Sequence, residues 1–540
     1  MKEKVNIITL GCRVNENESR QMFNILQNAG YDVHEGFDVA DIYIINSCAV
    51  TSMSEKKSRQ LFSRAQSLNP NAKIIVCGCA SQNNPEQFIK KGAYSVIGTA
   101  GKNHILDIIE SARLEAYAQP VCYEPSAKAT DTQSRQYIKV QDGCNNFCSY
   151  CLIPYLRGRS RSRDLADIID EINSTSCKEV VLTGIDTSDY KIDGKPALAT
   201  LARAVDKTGK RFRFGSLEER IITDEFVKLL AECKNFAPNF HLSLQSGCDL
   251  TLKRMNRKYT TEQYAKAVDI IRAQFGNRAS ITTDVIVGFK GETDEEFDAT
   301  YNFCQRIGFA FMHIFPYSSR KGTHADTLGG DVDGNVVKAR LKRLEALNHA
   351  NQHAFLTANV GATHTVLVEK IENGNAIGYT DNYLRATFPV ANTNVDDLVK
   401  VRAVAVKGDQ LVCEIENEGE KIMDCIFCKI NKGEIPSKKV YEDELFFVIH
   451  DINPKAKIHL LAIPKVHTET LANTEHFDEI MHRIGEHHAE WGLADGYRVI
   501  INQGKNGGQE VPHLHIHLLG GEKLCQHDCQ APRMPIRGIF

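Results

Sequence analysis

Short runs of branched apolar residues, separated by polar stretches with helical spacing, recur along most of this chain. Within residues 1–112 they are "VNIITL", "DIYIIN" and "AKIIVCG", each followed by a helical pattern. That βαβ rhythm predicts an α/β domain built on a parallel sheet. Residues 113–136 lose the periodicity and read as a linker. From 137 to 357 the rhythm returns, with "YIKVQ", "EVVLTG", "RFRFGS", "HLSLQSG", "ASITTDVIVGF" and "FAFMHIFPYS" as candidate strands. Six such units suit a partial (β/α) barrel, whose chemistry belongs in the loops after the strands. Residues 358–420 switch to strict alternation ("HTVLVEK", "AIGYT", "LVKVRAVAV"), predicting a small β-barrel. A last unit covers 423–523, and 524–540 reads as a disordered tail that holds Cys525, His527 and Cys529. Met423, opening that unit, suggests two genes joined end to end. The expectation is an α/β multidomain chain.

Composition narrows what these domains do. No run of about 18 apolar residues exists, so no membrane contact is expected. The segment before Gly11 has too few apolar residues for a signal peptide and reads as a buried first strand ending at a glycine. Seventeen cysteines without an export signal point to metal or catalytic thiols in a reducing compartment, hence a cytoplasmic protein. A formal charge of −3 gives no overall pull on nucleic acid, so any such contact needs local basic patches.

Cys144, Cys148 and Cys151 form a Cys-x3-Cys-x2-Cys run just after a predicted strand. Structural zinc wants four ligands. A 4Fe-4S cluster held by three thiolates instead leaves one iron free to bind something else. The run resembles the signature of radical S-adenosylmethionine (SAM) enzymes. The resemblance implies a cluster whose free iron chelates SAM and whose reduction gives a 5′-deoxyadenosyl radical. It also gives Tyr150 as the aromatic between the last two cysteines, and "VLTG", ending at Gly184, as the strand end that contacts the SAM amino group.

Cys12, Cys48 and Cys79 each stand just past a predicted strand. Strand ends of an open parallel sheet converge on one crevice, so three distant cysteines would meet there. "LGCRVNENES", "NSCAVTSMSEKKSRQ" and "VCGCASQ", with "CSYCLIPYLRGRSRSR", "HLSLQSGCDLTLKRMNRKY", "TTDVIVGFKGET" and "HIFPYSSRKGT", resemble the radical SAM methylthiotransferases over residues 1–420. That implies a second 4Fe-4S cluster on Cys12, Cys48 and Cys79, with Asn15 nearby and Cys77 outside the ligand set. Lys290 departs from the family's proline, with Gly288, Gly291 and Glu292 retained. The implied chemistry uses one SAM to methylate a sulfur of the auxiliary cluster and another to make the radical. An electron donor of flavodoxin or ferredoxin type would supply the electrons.

Members of the family modify tRNA adenosines beside the anticodon or an aspartate of a ribosomal protein. Arg157, Arg159, Arg161 and Arg163 alternate, so an extended segment would line them on one face. Such a row would hold phosphates; equally, it could pair cluster-site carboxylates or orient SAM. Residues 358–420 stand where the family has its RNA-binding TRAM domain, although ten acidic and five basic residues lie there. "GYTDNYLRATF" and "FGSLEERIIT" resemble the subgroup acting on threonylcarbamoyladenosine, whereas Asp186 in "LTGIDTSDY" replaces an expected histidine.

"PHLHIHLLGG" places His513, His515 and His517 at period two, so a strand would present all three on one face. With "CIFCKI", "HDINPKAKIHLLAIPKVH" and "INQGKNGGQEVPHLHIHLLGG" the segment resembles the histidine triad (HIT) nucleotide hydrolases, an α+β fold. The match makes His515 the nucleophile, with His517 and His459 assisting at the phosphate. Asp451 would bind the ribose, and Asn502, Gly508 and Gln509 the phosphate side of a purine nucleotide. Glu510 replaces the usual Ser or Thr. Cys425, Cys428, His467 and His513 would form a four-ligand zinc site of structural type. A homodimer through this domain is also implied.

Overall fold

A computed structural model describes residues 3–125, 127–129, 134–390, 393–416, 425–474 and 476–524, with the side chains of 473 and 505 left undescribed. Met423, Cys525, His527 and Cys529, and the tail assigned to them, lie outside the described residues. The chain divides into two compact units, Met1–Ile415 and Glu416–Phe540.

The first unit opens on five parallel strands, β1 (Lys4–Thr9), β2 (Asp32–Glu35), β3 (Ile42–Ser47), β4 (Lys73–Gly78) and β5 (Ser95–Gly98), in the order β2-β1-β3-β4-β5. Three of them are the predicted apolar runs. The other two were missed because "DVHE" is a mostly exposed edge strand and "SVIG" has only four residues. Helix α1 (Arg13–Asn28) follows β1 and buries Asn15, Asn17, Glu18, Ser19, Arg20 and Gln21. A helix burying so many polar groups must partner each of them. For two of them partners come from the next domain: Asn17 Nδ2 donates to the Tyr137 carbonyl at 2.6 Å, and Glu18 meets Lys139 and Arg157.

Six further parallel strands follow: β6 (Arg135–Lys139), β7 (Glu179–Thr183), β8 (Arg211–Phe214), β9 (Asn239–His241), β10 (Ser280–Val287) and β11 (Phe311–Pro316). They run in sequence order as two three-stranded sheets, joined by single parallel bridges such as Leu217 to Leu242. This is the partial barrel, closed outside by helices whose apolar faces fill one large core. The segment read as a linker is pinned to it: Gln119 Nε2 donates to the Leu156 carbonyl at 2.6 Å and Tyr123 Oη to that of Lys139 at 3.2 Å. Strands β12 (Thr363–Glu372), β13 (Asn375–Tyr379), β14 (Arg385–Pro389), β15 (Leu398–Lys407) and β16 (Gln410–Ile415) then close a five-stranded barrel.

The second unit holds a five-stranded antiparallel sheet of β17 (Lys439–Glu442), β18 (Phe446–His450), β19 (Ile458–Pro464), β20 (Tyr497–Ile500) and β21 (Ile516–Gly520), ordered β17-β18-β19-β21-β20. Ile516 and Leu518 point into its core, as the alternation of the histidine segment requires. Among the described residues no helix is long and apolar enough to cross a membrane.

Candidate active sites

Six cysteines from four separate loops line a single cavity of about 930 Å³ in the first unit: Cys12, Cys48, Cys79, Cys144, Cys148 and Cys151. Each of the first three follows a strand of the N-terminal sheet. The chain is bent hard to deliver them: Gly11 has φ +106° and Gly78 φ +94°, both in the region that favours glycine. A Cβ on Gly11 would sit 2.8 Å from Cys48 Sγ, and one on Gly78 would strike the Ser47 carbonyl at 2.3 Å. Cys77, one residue earlier in β4, is buried in the sheet's core and does not line the cavity.

None of the described cysteines is in a disulfide. Burial pushes the Cys48 thiol up to about 11 and Cys144 and Cys151 to about 12, and raises Cys79 as well. A bare thiolate is therefore disfavoured here, although the protein supplies groups that stabilise one. The amides of Val50, Asn146 and Ile153 donate to Cys48, Cys144 and Cys151 at 3.5, 3.4 and 3.4 Å. Arg257 Nη1 reaches Cys148 Sγ at 3.4 Å. Two sets of three soft ligands, each provided with N–H donors and needing a cation to deprotonate them, fit iron–sulfur clusters.

The arginine segment resolves in favour of internal pairing. Arg157 is wholly buried and joins Glu18 (2.8 Å), Asp142 (3.0 Å) and Asn15 Oδ1 (2.6 Å). Arg161 donates to the carbonyls of Arg157 and Arg159, and Arg163 pairs with Glu171. Only Arg159 is exposed, lying over the Phe147 ring. A phosphate-facing row is therefore excluded: the loop is not an extended ribbon, and three of its guanidiniums neutralise buried carboxylates. Around Glu18 and Asp142 stand Arg157, Lys139, Lys102 and Arg161. Four cations against two carboxylates leave positive charge beside Cys79, which complements thiolate-bound iron–sulfur charge.

Asn15, placed near the auxiliary site by the sequence, donates to the Leu10 and Ser47 carbonyls at 2.8 and 3.0 Å and so ties two cysteine-bearing loops together. Gly184 lines the cavity, and a Cβ there would meet Gln141 Oε1 at 2.9 Å. Tyr150 packs edge-on to Phe289 and also lines the cavity. Asp186 is buried, accepts from Arg220 at 3.0 Å, and is pushed up to about 6 by its burial. Lys290 pairs with Asp331, and the flanking Gly288 amide donates to Glu292 at 2.9 Å, so the loss of proline leaves the turn intact. The cavity also takes in side chains that sequence reading had not singled out: His241, Asp284, Arg213, Tyr379, Tyr383 and Arg385. His241 and Asp284 carried a signal, since both lie on inward positions of predicted strands.

In the second unit His517 lies on β21, while His513 and His515 precede it. The rings of His515 and His517 are 5.0 Å apart. His515 Nδ1 donates to the His513 carbonyl at 2.8 Å. That bond fixes the tautomer and leaves the lone pair on Nε2. His459 Nε2 lies 2.9 Å from His517 Nδ1 and 3.4 Å from Asp451 Oδ2. Burial lowers His459 from the usual histidine value and His517 to about 4, in each case favouring the neutral ring. Asn502 Nδ2 is 3.5 Å from His517 Nε2. The Gln509 side chain braces its own loop, accepting from the Gly504 amide and donating to the Glu469 carbonyl. Gly508 is exposed with φ +75°.

The four candidate zinc ligands also meet. Cys425 Sγ is 3.4 Å and Cys428 Sγ 3.5 Å from His513 Nδ1, and Cys428 Sγ is 3.2 Å from His467 Nδ1. All four donor atoms lie within 4.8 Å of one another. Tetrahedral zinc with ligands at about 2.0–2.3 Å separates its donors by roughly 3.5 Å. His513 Nε2 donates to the Pro464 carbonyl at 2.9 Å, which aims the Nδ1 lone pair at the thiols.

The partial barrel and its cysteine-lined cavity define a radical SAM enzyme. Residues 138–304 match the Radical SAM superfamily, 4–98 the "Uncharacterized protein family UPF0004", and 432–524 the HIT domain. The threonylcarbamoyladenosine tRNA methylthiotransferase MtaB of Bacillus subtilis (strain 168) is 36% identical over 419 residues, 73% of this chain and 92% of that protein. Its namesake from Aquifex aeolicus (strain VF5) is 37% identical over 71% and 95%. The tRNA-2-methylthio-N(6)-dimethylallyladenosine synthase of Clostridium novyi (strain NT) is 33% identical over 76% and 96%. Among solved structures, a histidine triad protein from Clostridium difficile is 46% identical over 20% of this chain and 97% of that one, with a TM-score of 0.19. The chain belongs to the radical SAM methylthiotransferase family and carries a HIT domain after it.

Proposed function

We propose that this chain methylthiolates C2 of N6-threonylcarbamoyladenosine at tRNA position 37, and that its HIT domain hydrolyses nucleotidyl bonds. The observation that carries the first reading is the shared cavity: both cysteine triplets open into one space large enough for SAM and a nucleoside. When bound, SAM and the two clusters supply the hydrogen-abstracting radical and the methylthio group. Cys144, Cys148 and Cys151 would hold one cluster and Cys12, Cys48 and Cys79 the other, with three thiolates for each. A primary carbon radical would demand that the residues around them exclude water. Gly184 and its strand end would take the SAM amino group. Threonylcarbamoyladenosine is favoured by the relatives named above for that nucleoside, and tRNA and a small electron-transfer protein are the partners this chemistry needs. The five-stranded barrel would act as a TRAM-type RNA contact through specific groups, its own charge being acidic. Nucleoside mass spectrometry of tRNA from cells lacking the gene is expected to show loss of the methylthiolated nucleoside. An unchanged level would defeat this reading.

In the HIT domain, His515 Nε2 would attack phosphorus and expel the substituent on it as the protonated amine or alcohol; water would then cleave the P–N bond of the nucleotidyl-histidine, so that one displacement is split into two easier ones. The pair His459 and His517 would hold the phosphate, with Asp451 at the ribose and Asn502 and the Gly508 loop alongside. Zinc on Cys425, Cys428, His467 and His513 would anchor the residue two positions before the nucleophile. The purified full chain is expected to carry one zinc per molecule beyond its iron. Cys428→Ser is expected to remove it and lower the C-terminal melting transition by about 5–10 °C. Metal analysis and calorimetry check this, and an unchanged zinc content would refute the assignment.

A further inference from the structure

Beside the cavity, at the starts of the barrel strands, three guanidiniums share two carboxylates. Glu179, at the start of β7, is buried and shared by three guanidiniums: Arg135 at 2.8 Å, Arg211 at 2.5 Å and Arg213 at 3.6 Å. Glu369 adds a second carboxylate, but to Arg135 alone among the three. Arg211 also donates to the Thr365 carbonyl. Arg213 is thus the poorest served. Its side chain is only 2% exposed, its Nη1 has a neutral acceptor in Asn239 Oδ1 at 3.3 Å, and its Nη2 has no hydrogen-bond partner among the described residues. An arginine fork matches a carboxylate in two parallel hydrogen bonds, and a buried one lacking that partner is costly to keep.

Arg213 lines the cavity together with Asn239, Ser280 and Tyr383. Tyr383 lies face-on to it, the guanidinium carbon 3.9 Å from the ring centroid, and stacks on Tyr379 at 4.6 Å. Tyr383 sits at φ +65° in a turn held by Thr380 and Asn382. A non-glycine residue in that region persists only where the surroundings hold it there. The turn thus sets an aromatic cover over a guanidinium whose Nη2 has no hydrogen-bond partner among the described residues. Burial also lowers the affinity of Arg213 for its proton, consistent with a missing anion.

From this arrangement, and resting on the function proposed above, we infer that Arg213, with Asn239 beneath the Tyr383 cover, seats the free carboxylate of the substrate's threonylcarbamoyl group. The reacting C2 would then face the cysteines and the acidic substituent Arg213. Arg213 is in this view a specificity-determining residue: a dimethylallyl substituent carries no charge to meet it.

The test uses the reconstituted full chain and anticodon stem-loop RNAs bearing threonylcarbamoyladenosine, either as the free acid or as its methyl ester. The parent is expected to bind the acid roughly thirtyfold or more tighter than the ester. Arg213→Gln is expected to weaken the acid alone and bring that ratio below about threefold. Should Arg213→Gln not fold, as judged by its iron content and melting point, Arg213→Lys replaces it, retaining charge but losing the fork. A parent indifferent to esterification, or a variant with the parent's ratio, overturns the inference. So does weakened SAM binding with an intact acid-to-ester ratio, which would place the SAM carboxylate at Arg213 instead. A parent that methylthiolates neither RNA sinks the proposed function and this inference together. Turnover of the acid without preference over the ester sinks the inference alone.

Discussion

Cys48→Ala is expected to yield a protein that still cleaves SAM to 5′-deoxyadenosine yet forms no methylthiolated nucleoside. Its iron content should fall from about eight to about four atoms per chain, because only one of the two three-thiolate sites is broken. The reasoning is geometric. Cys48 leaves β3, follows a different domain's chain path from Cys144, Cys148 and Cys151, and receives its own amide donor from Val50. The Cys144, Cys148 and Cys151 triplet keeps its amide donors from Asn146 and Ile153 and its Arg257 contact when Cys48 is lost. Alanine is small and leaves the Gly11 turn unobstructed. The matching change on the other side, Cys148→Ala, should abolish both SAM cleavage and product. Retention of product by Cys48→Ala, measured by nucleoside mass spectrometry on reconstituted protein, would remove the auxiliary site from the chemistry.

His515→Ala is expected to lower hydrolysis of adenosine 5′-phosphoramidate by about a thousandfold or more, with methylthiolation in the first unit unchanged. His515 is held by one hydrogen bond to the His513 carbonyl and packs on Phe427 at 5.2 Å between ring centres. Among the described residues no neighbouring ring takes its place as the attacking group. His517 and His459 are committed to each other at 2.9 Å. His513 has its Nε2 on Pro464 and its Nδ1 toward the thiols. Nucleotide binding should survive, since Asp451 and Asn502 keep their places. Retained hydrolysis by His515→Ala would point instead to a domain that senses nucleotide without using this histidine.

Much of the architecture was legible because period and punctuation agree. All six strands of the partial barrel lie where branched apolar runs end in polar loops, and the five-stranded barrel lies where strict alternation begins. What escaped were elements with too little apolar content to announce themselves, such as β2 and β5, and the packing of residues 113–125, which is made by single side chains with no periodicity. The arginine segment stayed open between phosphate contact and carboxylate pairing for a related reason. Alternation predicts one face only if the backbone is extended, and the turn through Gly158 at φ +79° removes that condition.

By itself the sequence determined which atoms are available: two sets of three thiols placed after strands, a histidine run at period two, and a Cys-x2-Cys before it. Strand ends gather on one side of a parallel sheet whatever the loops contain, so the meeting of Cys12, Cys48 and Cys79 followed from topology alone. Only the tertiary structure decided what surrounds them. Whether Arg157 meets phosphate or Glu18, and whether Arg213 has an anion, depends on contacts between residues far apart in the chain. Those contacts are set by desolvation, since a buried charge takes whatever partner the fold brings within reach.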